Sequence, residues 1–80
     1  MNLEIIILRK MLRRRLIGGK HTAIENLTKG LPKHTIGDAK QAARALIKKG
    51  WILPKRTEYG LQVSLNARYL EEILRLLETH

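Results

Sequence analysis

Apolar and polar positions repeat with a helical period between Thr35 and Gly50. The apolar positions recur at spacings of three and four residues, which puts them on one stripe of a helix. They are Ile36, Ala39, Ala43, Leu46 and Ile47. Thr35 is a candidate N-cap with Asp38 as the acidic partner of a capping box, and Gly50 is a natural stop. The pattern predicts one amphipathic helix with a polar outer face.

The chain before this helix predicts two further helices. Residues 1–17 carry a broad apolar surface built from good helix formers, and the pair Gly18–Gly19 breaks that pattern. Thr22 and Glu25 have the spacing of a capping box, which predicts a second helix that runs to about Lys29. Two helices joined by a short turn that contains glycine make residues 22–50 a helix-turn-helix candidate.

Residues 51–65 predict a β-hairpin. Trp51–Pro54 is one candidate strand, and Leu61–Leu65 alternates strictly between apolar and polar residues, as a half-buried strand does. The segment Lys55–Gly60 between them predicts an exposed loop that gives the hairpin a basic tip. Pro54 fits only near a strand end or in an edge strand, because it cannot donate a ladder hydrogen bond.

The last predicted element is a helix over residues 66–79. Asn66 is its candidate N-cap, and its apolar surface covers nearly half of the circumference. The N-terminal helix has a similarly wide apolar surface, and both are wider than one small core requires. We therefore expect a homodimer that forms through the N- and C-terminal helices.

Charge is distributed unevenly along the chain. The net charge is +9, and residues 1–56 hold fourteen Lys and Arg against three carboxylates, a balance of +11, whereas residues 57–80 have a balance of −2. Such an excess favours a polyanionic partner, although a solubilising or thermophile-type surface has the same composition. Three of these cations, Arg13–Arg15, suit either the dipole of the first helix or phosphate groups.

Composition argues against several other classes of protein. There is no cysteine, so disulfides and cysteine-based zinc sites are excluded. His21, His34 and His80 are too scattered in sequence for a metal site. The stretch Gly18–Lys20 resembles a phosphate-binding loop only faintly, since the required upstream glycine is missing and no hydroxyl residue follows Lys20. We expect no catalytic constellation, no cofactor and no metal, and therefore no enzyme.

Long apolar runs are also missing. No stretch approaches the roughly 20 apolar residues of a membrane span, and the N-terminal run lacks the pattern of a signal peptide. We expect a cytoplasmic protein with no membrane partner. With no phenylalanine, the core of this single predicted domain should be aliphatic.

The order of predicted elements resembles the winged-helix family of DNA-binding domains, in particular its small bacterial and archaeal type. The match is strongest in TAIENLTKGLPKHTIGDAKQAARALIKKGWI and in the hairpin LPKRTEYGLQVSL. The segment LIKKGWI is similar to the junction where the recognition helix of that family ends and the wing begins. The turn at Leu31–His34 is longer and more basic than the commonest one. The resemblance implies an α+β winged helix-turn-helix, mainly α with a small β-hairpin: a three-helix core, a wing and a C-terminal helix.

Double-stranded DNA is the partner that this resemblance implies, and the residue types agree with it. The resemblance puts the helix that follows the turn in the major groove and the hairpin tip on the backbone or in the minor groove. Gln can pair with adenine and Arg with guanine at base edges, whereas Lys and His suit phosphate groups. The predicted base-reading positions are Gly37, Gln41, Arg44 and Lys48. The predicted phosphate contacts are Lys33, His34, Lys40, Lys49, Lys55 and Arg56.

A small transcriptional regulator is the function that these expectations favour. The alternative is a winged-helix interaction module of a larger complex, without sequence-specific readout of nucleic acid. A third possibility is RNA binding, with Tyr59 stacked on a base. The cations on the predicted third helix and on the hairpin favour DNA over the interaction module, in which an apolar patch is expected.

Overall fold

The structure is a computed structural model that describes residues 2–80, so position 1 of the predicted N-terminal helix lies outside the described residues. The described chain is an α+β fold with three α-helices and one three-stranded antiparallel sheet. The helices are α1 (Leu3–Arg13), α2 (Ile36–Lys48) and α3 (Leu70–Glu78), and the strands are β1 (Thr22–Ala23), β2 (Ile52–Thr57) and β3 (Gly60–Leu65). Single 3₁₀ turns lie at Ile24–Leu27, Lys33–Thr35 and Ala67–Tyr69. The predicted α+β class is confirmed, with one more strand than the predicted hairpin provides.

The first helix ends at Arg13 and not at the predicted Ile17. Arg15 has a φ of 54°, which is the left-handed region that non-glycine residues rarely adopt. The N–H of Leu16 donates to the carbonyl of Met11 at 3.0 Å, which is the outer hydrogen bond of a Schellman motif. The helix is therefore ended by a left-handed arginine, before the glycine pair Gly18–Gly19 that the sequence predicts as its end.

The helix predicted from Thr22 to Lys29 does not form. Thr22 lies in β1 and pairs with Val63 of β3, and its hydroxyl accepts a hydrogen bond from the Asn26 side chain at 2.8 Å. Only the 3₁₀ turn Ile24–Leu27 follows. Because Thr22 and Ala23 pair with β3, too few residues remain to offset the free-energy cost of nucleating an α-helix. The predicted capping box is wrong for this reason.

The start of α2 also differs from the prediction. Thr35 has helical dihedral angles, and its hydroxyl donates to the carbonyl of Pro32 at 2.8 Å, so it caps no N–H group of α2. The preceding 3₁₀ turn leads directly into the α-helix and takes the place of a side-chain cap. Asp38 lies in the first turn of α2, where a carboxylate is stabilised by the helix dipole without a capping box.

The junction after α2 connects three elements. Gly50 has a φ of 82° and ends the helix as predicted, with the N–H of Trp51 donating to the carbonyl of Leu46 at 3.1 Å. Asn66 then connects this end to the 3₁₀ turn that precedes α3. Its Nδ2 donates to the carbonyl of Gly50 at 2.8 Å, and its Oδ1 accepts from the N–H of Arg68 at 3.0 Å. Asn66 is a cap as predicted, but it caps the 3₁₀ turn Ala67–Tyr69, and the predicted last α-helix begins only at Leu70.

The hairpin has longer strands and a shorter loop than predicted. β2 pairs with β3 from Ile52 opposite Leu65 to Thr57 opposite Gly60, and only residues 58 and 59 remain in the turn. The Thr57 hydroxyl donates to the carbonyl of Gly60 at 2.9 Å and closes that turn. The predicted loop over residues 55–60 is therefore wrong. The expectation for Pro54 is confirmed, because β2 is an edge strand of the sheet order β1-β3-β2.

The core is aliphatic, as predicted, and lies between the three α-helices and one face of the sheet. Its fully buried side chains are Ile7, Leu8, Met11, Leu27, Leu46, Ile52, Val63, Leu65 and Ile73. Trp51 and Tyr69 are half-buried at its margin, where their rings stack with centroids 6.5 Å apart. This core holds the inner face of α2 and leaves its outer face to solvent.

Candidate nucleic-acid interface

The outer face of α2 is the exposed, polar surface that its periodicity predicts. Ala39, Ala43 and Leu46 are buried beneath it, because they share the stripe that packs on the core. Every predicted contact residue of this helix is exposed. These residues are Gly37, Lys40, Gln41, Arg44 and Lys48. A side chain added at Gly37 would meet no other atom within 4 Å, so the surface around the first turn of α2 is open.

The two flanks of α2 differ in charge. On one flank Lys49 donates to the carboxylate of Glu4 in α1 at 2.8 Å, so this predicted phosphate contact is instead an ion pair between helices. On the other flank Lys40 and Arg44 are one helical turn apart, and both line a cavity that Leu61 of β3 also lines. The cationic flank of α2 therefore faces the hairpin.

The register of the hairpin separates two cations that are adjacent in sequence. Arg56 is paired with Leu61, and Lys55 is paired with Gln62. Side chains that are directly opposite in a ladder share one face of the sheet. Arg56 is therefore on the core face, beside the cavity that Lys40 and Arg44 line, while Lys55 is on the reverse face.

The tip of the hairpin is not basic. The two turn residues are Glu58 and Tyr59, and the Tyr59 side chain is 88% exposed. The N–H of Tyr59 donates to the Thr57 hydroxyl at 3.2 Å, which holds the turn in one conformation. The predicted basic tip is wrong because Lys55 and Arg56 belong to β2. The tip presents an aromatic ring next to a carboxylate.

Lys33 and His34 lie at the entrance to α2. Both are exposed residues of the 3₁₀ turn Lys33–Thr35. They are next to the first turn of α2, where the helix dipole favours an anion. The predicted site residues thus form a surface from this turn along α2 to Arg56, and Lys55 lies apart from it.

Most cations of this surface have no acidic partner. Across residues 2–80, the one salt bridge within 4.0 Å is the Lys49–Glu4 pair. Lys40, Arg44 and Arg56 are therefore charged groups in solvent with no carboxylate bound to them. Unpaired cations on one side of a small protein produce a positive potential that attracts polyanions.

A second group of cations, of which only Arg14 was predicted as a candidate contact, lies at the end of α1. The Nζ of Lys10 in α1 donates to the carbonyl of Lys29, which brings the end of α1 to the turn before α2. Burial, together with the positive charges of Arg14 and Lys29, lowers the pKa of Lys10. Lys10 and Arg14 are one helical turn apart, whereas Lys29 is distant in sequence, and only the contact between α1 and this turn brings Lys29 to the other two.

Other kinds of site were also sought. Within the described chain, no three His, Cys, Asp or Glu residues come close enough to hold a metal ion. The Nδ1 of His21 lies 3.2 Å from Oε1 of Gln62, so this imidazole is engaged with the sheet. None of the helices between residues 2 and 80 has both the length and the apolar character needed to cross a bilayer.

Fold and surface together define a small α+β protein that presents a cationic helix beside a β-hairpin. Comparison with protein-family models, with curated proteins and with solved structures gave no match. The function of the chain therefore has to be inferred from its own residues.

Proposed function

We propose that this protein binds double-stranded DNA as a winged helix-turn-helix domain and acts as a small transcriptional regulator, not as an enzyme. The observation that carries the proposal is the outer face of α2. It bears Lys40, Arg44 and Lys48, all exposed, with no carboxylate within 4.0 Å among residues 2–80. Arg56 of the adjacent hairpin extends this cationic surface. A surface of this kind matches the phosphate-lined walls of a duplex groove.

The order of elements supports the winged-helix assignment. α1 is followed by β1, the 3₁₀ turn Ile24–Leu27, α2, the β2–β3 hairpin and α3. In this assignment α2 is the recognition helix, the hairpin is the wing, and the 3₁₀ turn replaces the first helix of the helix-turn-helix. β1 pairs with β3, which anchors the hairpin to the body of the domain.

The dimensions of α2 suit the major groove. Its 13 residues make a rod about 20 Å long, with a diameter of about 10–12 Å against a groove about 12 Å wide. Gln41 and Arg44 carry the bidentate groups that read adenine and guanine, and Gly37 offers close approach of the backbone. Lys48 is the fourth base-reading position. The cations that contact phosphates are Lys33, His34, Lys40 and Arg56, and Lys55 contributes less because it lies on the reverse face of the hairpin.

DNA binding is tested by measuring affinity for duplex DNA across a series of salt concentrations. We expect a steep linear fall of log K with log salt, because each neutralised phosphate releases counterions. Arg44→Ala should lower affinity for the preferred sequence by about 1–3 kcal/mol and relax its sequence preference. Arg68→Ala is the matched control, since Arg68 is exposed at the start of the C-terminal segment.

Two neighbouring cations provide a sharper comparison. Arg56→Ala should weaken binding to all DNA sequences alike. It should also reduce the slope of log K against log salt by about 1, which corresponds to one phosphate contact. Lys55→Ala should have a smaller effect, because Lys55 is on the reverse face of the hairpin. Equal losses for both variants would argue against the proposed docking of α2 and Arg56 on one side of the duplex. No binding at the lowest salt concentration would refute the DNA proposal altogether.

A homodimer completes this proposal. α1 and α3 border an open groove of about 540 Å³, which the exposed Leu74 lines together with Arg13 of α1 and Glu78 of α3. A two-fold contact across this groove would bury Leu74 and bring Arg13 of each copy to Glu78 of the other. To bind successive turns on one face of the duplex, the two recognition helices of this dimer have to lie about 34 Å apart. Sedimentation should detect the dimer, and Leu74→Glu should dissociate it without unfolding the monomer.

The interaction module stays the second candidate because of two exposed side chains. Leu53, which is 42% exposed on β2, and Tyr59 at the hairpin tip could contact a protein partner. If this candidate is correct, Leu53→Ser and Tyr59→Ser should abolish partner binding, while Arg44→Ala should leave it intact. Leu53→Ser and Tyr59→Ser should leave the affinity for duplex DNA nearly unchanged if α2 makes the main contact with DNA.

A further inference from the structure

A cavity of about 280 Å³ lies between α2, the hairpin and the 3₁₀ turn Ile24–Leu27. Ile24, Ile47 and Leu61 form its apolar floor, and Lys40 and Arg44 stand at its rim. The segment that borders the cavity after β1 forms a single 3₁₀ turn, and a longer helix does not follow. The three apolar side chains are half-buried.

The rim of the cavity has an uneven charge. Lys40 and Arg44 contribute two positive charges, and Glu25 contributes one negative charge. Glu25 is not within 4.0 Å of either cation, since the one salt bridge of residues 2–80 lies elsewhere. A guanidinium and an ammonium beside an apolar floor are complementary to a carboxylate that carries an apolar body. The carboxylate of Glu25 would repel a ligand with a second negative charge on its side.

We propose that this cavity binds a small monocarboxylic acid with an apolar body about the size of one six-membered ring. The carboxylate accepts hydrogen bonds from Arg44 and Lys40, and the apolar body lies on Ile24, Ile47 and Leu61. The volume is just below the usual range of about 300–1,000 Å³ for ligand pockets, so the ligand is small and its affinity modest. A dissociation constant on the order of 1 mM is expected for a probe such as benzoate.

Ligand binding in this cavity is coupled to DNA through Arg44. One guanidinium cannot make a bidentate contact with guanine and hold a carboxylate at the same time, so acid and duplex compete. This coupling rests on the proposed DNA binding, whereas occupancy of the cavity does not. The acid is thus an effector that releases the protein from DNA.

The binding step is tested on the full chain without DNA. Benzoate, benzamide and acetate are titrated while the NMR signals of the cavity methyl groups are followed. Benzoate should give saturable shifts at Ile24, Ile47 and Leu61. Benzamide has the ring without the charge and acetate has the charge without the ring, so both should bind at least about tenfold more weakly. Acetate binding as tightly as benzoate would overturn the proposal, as would the absence of saturable shifts at these three residues.

Substitutions at the rim separate the two halves of the site. Arg44→Gln should weaken benzoate by about tenfold or more, and Arg68→Gln, away from the cavity, should leave it unchanged. Glu25→Gln should tighten benzoate, because it removes the repulsive charge. Thr28→Met should block binding by filling the space while keeping every cation, since Thr28 also lines the cavity. If Thr28→Met fails to fold, the Arg44 and Glu25 variants still decide the matter: unchanged affinity in both refutes the site.

The competition step uses a labelled duplex. Benzoate should displace DNA from the native protein and not from Thr28→Met, and benzamide should displace it from neither. DNA binding without any benzoate binding refutes the cavity site and leaves the proposed function intact. Benzoate binding in a protein that binds no DNA refutes the proposed function and leaves the cavity site intact. Both ligands bound at once would refute the shared use of Arg44.

Discussion

Replacement of Asn66 by alanine should cost the fold more than the loss of an ordinary helix cap. The Asn66 side chain makes two hydrogen bonds in opposite directions, from Nδ2 to the Gly50 carbonyl at 2.8 Å and from the Arg68 N–H to Oδ1 at 3.0 Å. Loss of an asparagine cap costs about 1 kcal/mol. The lost bond to the carbonyl that ends α2 adds about 1 kcal/mol. We therefore expect Asn66→Ala to lower the free energy of unfolding by about 2 kcal/mol.

This loss is large for a chain of 80 residues. Its total stability should lie at about 4–12 kcal/mol, from typical values per residue. A loss of about 2 kcal/mol should lower Tm by roughly 10 °C, because a domain of this size shifts by about 4–8 °C per kcal/mol. Thermal unfolding followed by circular dichroism and urea unfolding at constant temperature measure the two quantities independently.

Two variants separate the two hydrogen bonds. Asn66→Ser keeps an acceptor for the Arg68 N–H but cannot reach the Gly50 carbonyl, so it should cost about half as much as alanine. Asn2→Ala is the matched control, since the Asn2 side chain accepts from the Ile5 N–H at 3.3 Å. It should cost about 0.5–1 kcal/mol. If Asn66→Ala costs no more than Asn2→Ala, the connection between α2 and the C-terminal segment contributes nothing to stability, and the reasoning fails.

Three further changes test other parts of the fold. Arg15 is held at a φ of 54°, so Arg15→Gly should raise the free energy of unfolding by up to about 1 kcal/mol and Arg15→Val should lower it. Urea unfolding measures both changes, and a lower free energy of unfolding in the glycine variant would contradict the proposed strain. Leu46→Ala should cost about 2–5 kcal/mol, since this side chain of α2 is fully buried; an unfolding midpoint equal to the native one would mean that α2 is not fixed by its apolar stripe. Burial, with the charges of Arg14 and Lys29, lowers the pKa of Lys10 from its ordinary value of 10.5, so the folded protein binds this proton less well than the unfolded chain. Stability should therefore rise with pH between the lowered pKa and 10.5, and Lys10→Met should reduce this rise; equal pH dependence in the two proteins would show that Lys10 does not cause it.

The amphipathic elements were the most predictable part of the molecule. The apolar stripe of α2, which begins at Ile36 and ends at Ile47, spans about three helical turns, so a helix is the element that buries it. Gly50 marked the end of α2 because glycine is the residue that a left-handed C-terminal position favours. Asn66 marked the start of the last helical segment for the same kind of local reason. In each case the signal and the structure it specifies lie within a few residues of each other.

The errors arose where distant partners decide the local structure. Thr22 has a good capping pattern, but its pairing with Val63 is worth more, and that pairing spans much of the chain. Arg15 has no local preference for a left-handed conformation, yet the bridge between Ile17 and Leu65 requires the chain to leave α1 at that point. Neither partner can be read from the residues around the site. The third strand and the shortened α1 were therefore beyond prediction from periodicity.

The candidate interface shows how one error in a turn propagates to the site. From the sequence alone, Lys55 and Arg56 are equivalent cations of an exposed loop, because the first predicted strand ends at Pro54. Because the turn has only two residues, β2 continues to Thr57. Successive side chains of a strand point to opposite faces, so Lys55 and Arg56 lie on opposite faces of the sheet. Only Arg56 remains on the side of Arg44. The different effects expected for Lys55→Ala and Arg56→Ala therefore test the hairpin register and the orientation of the interface together.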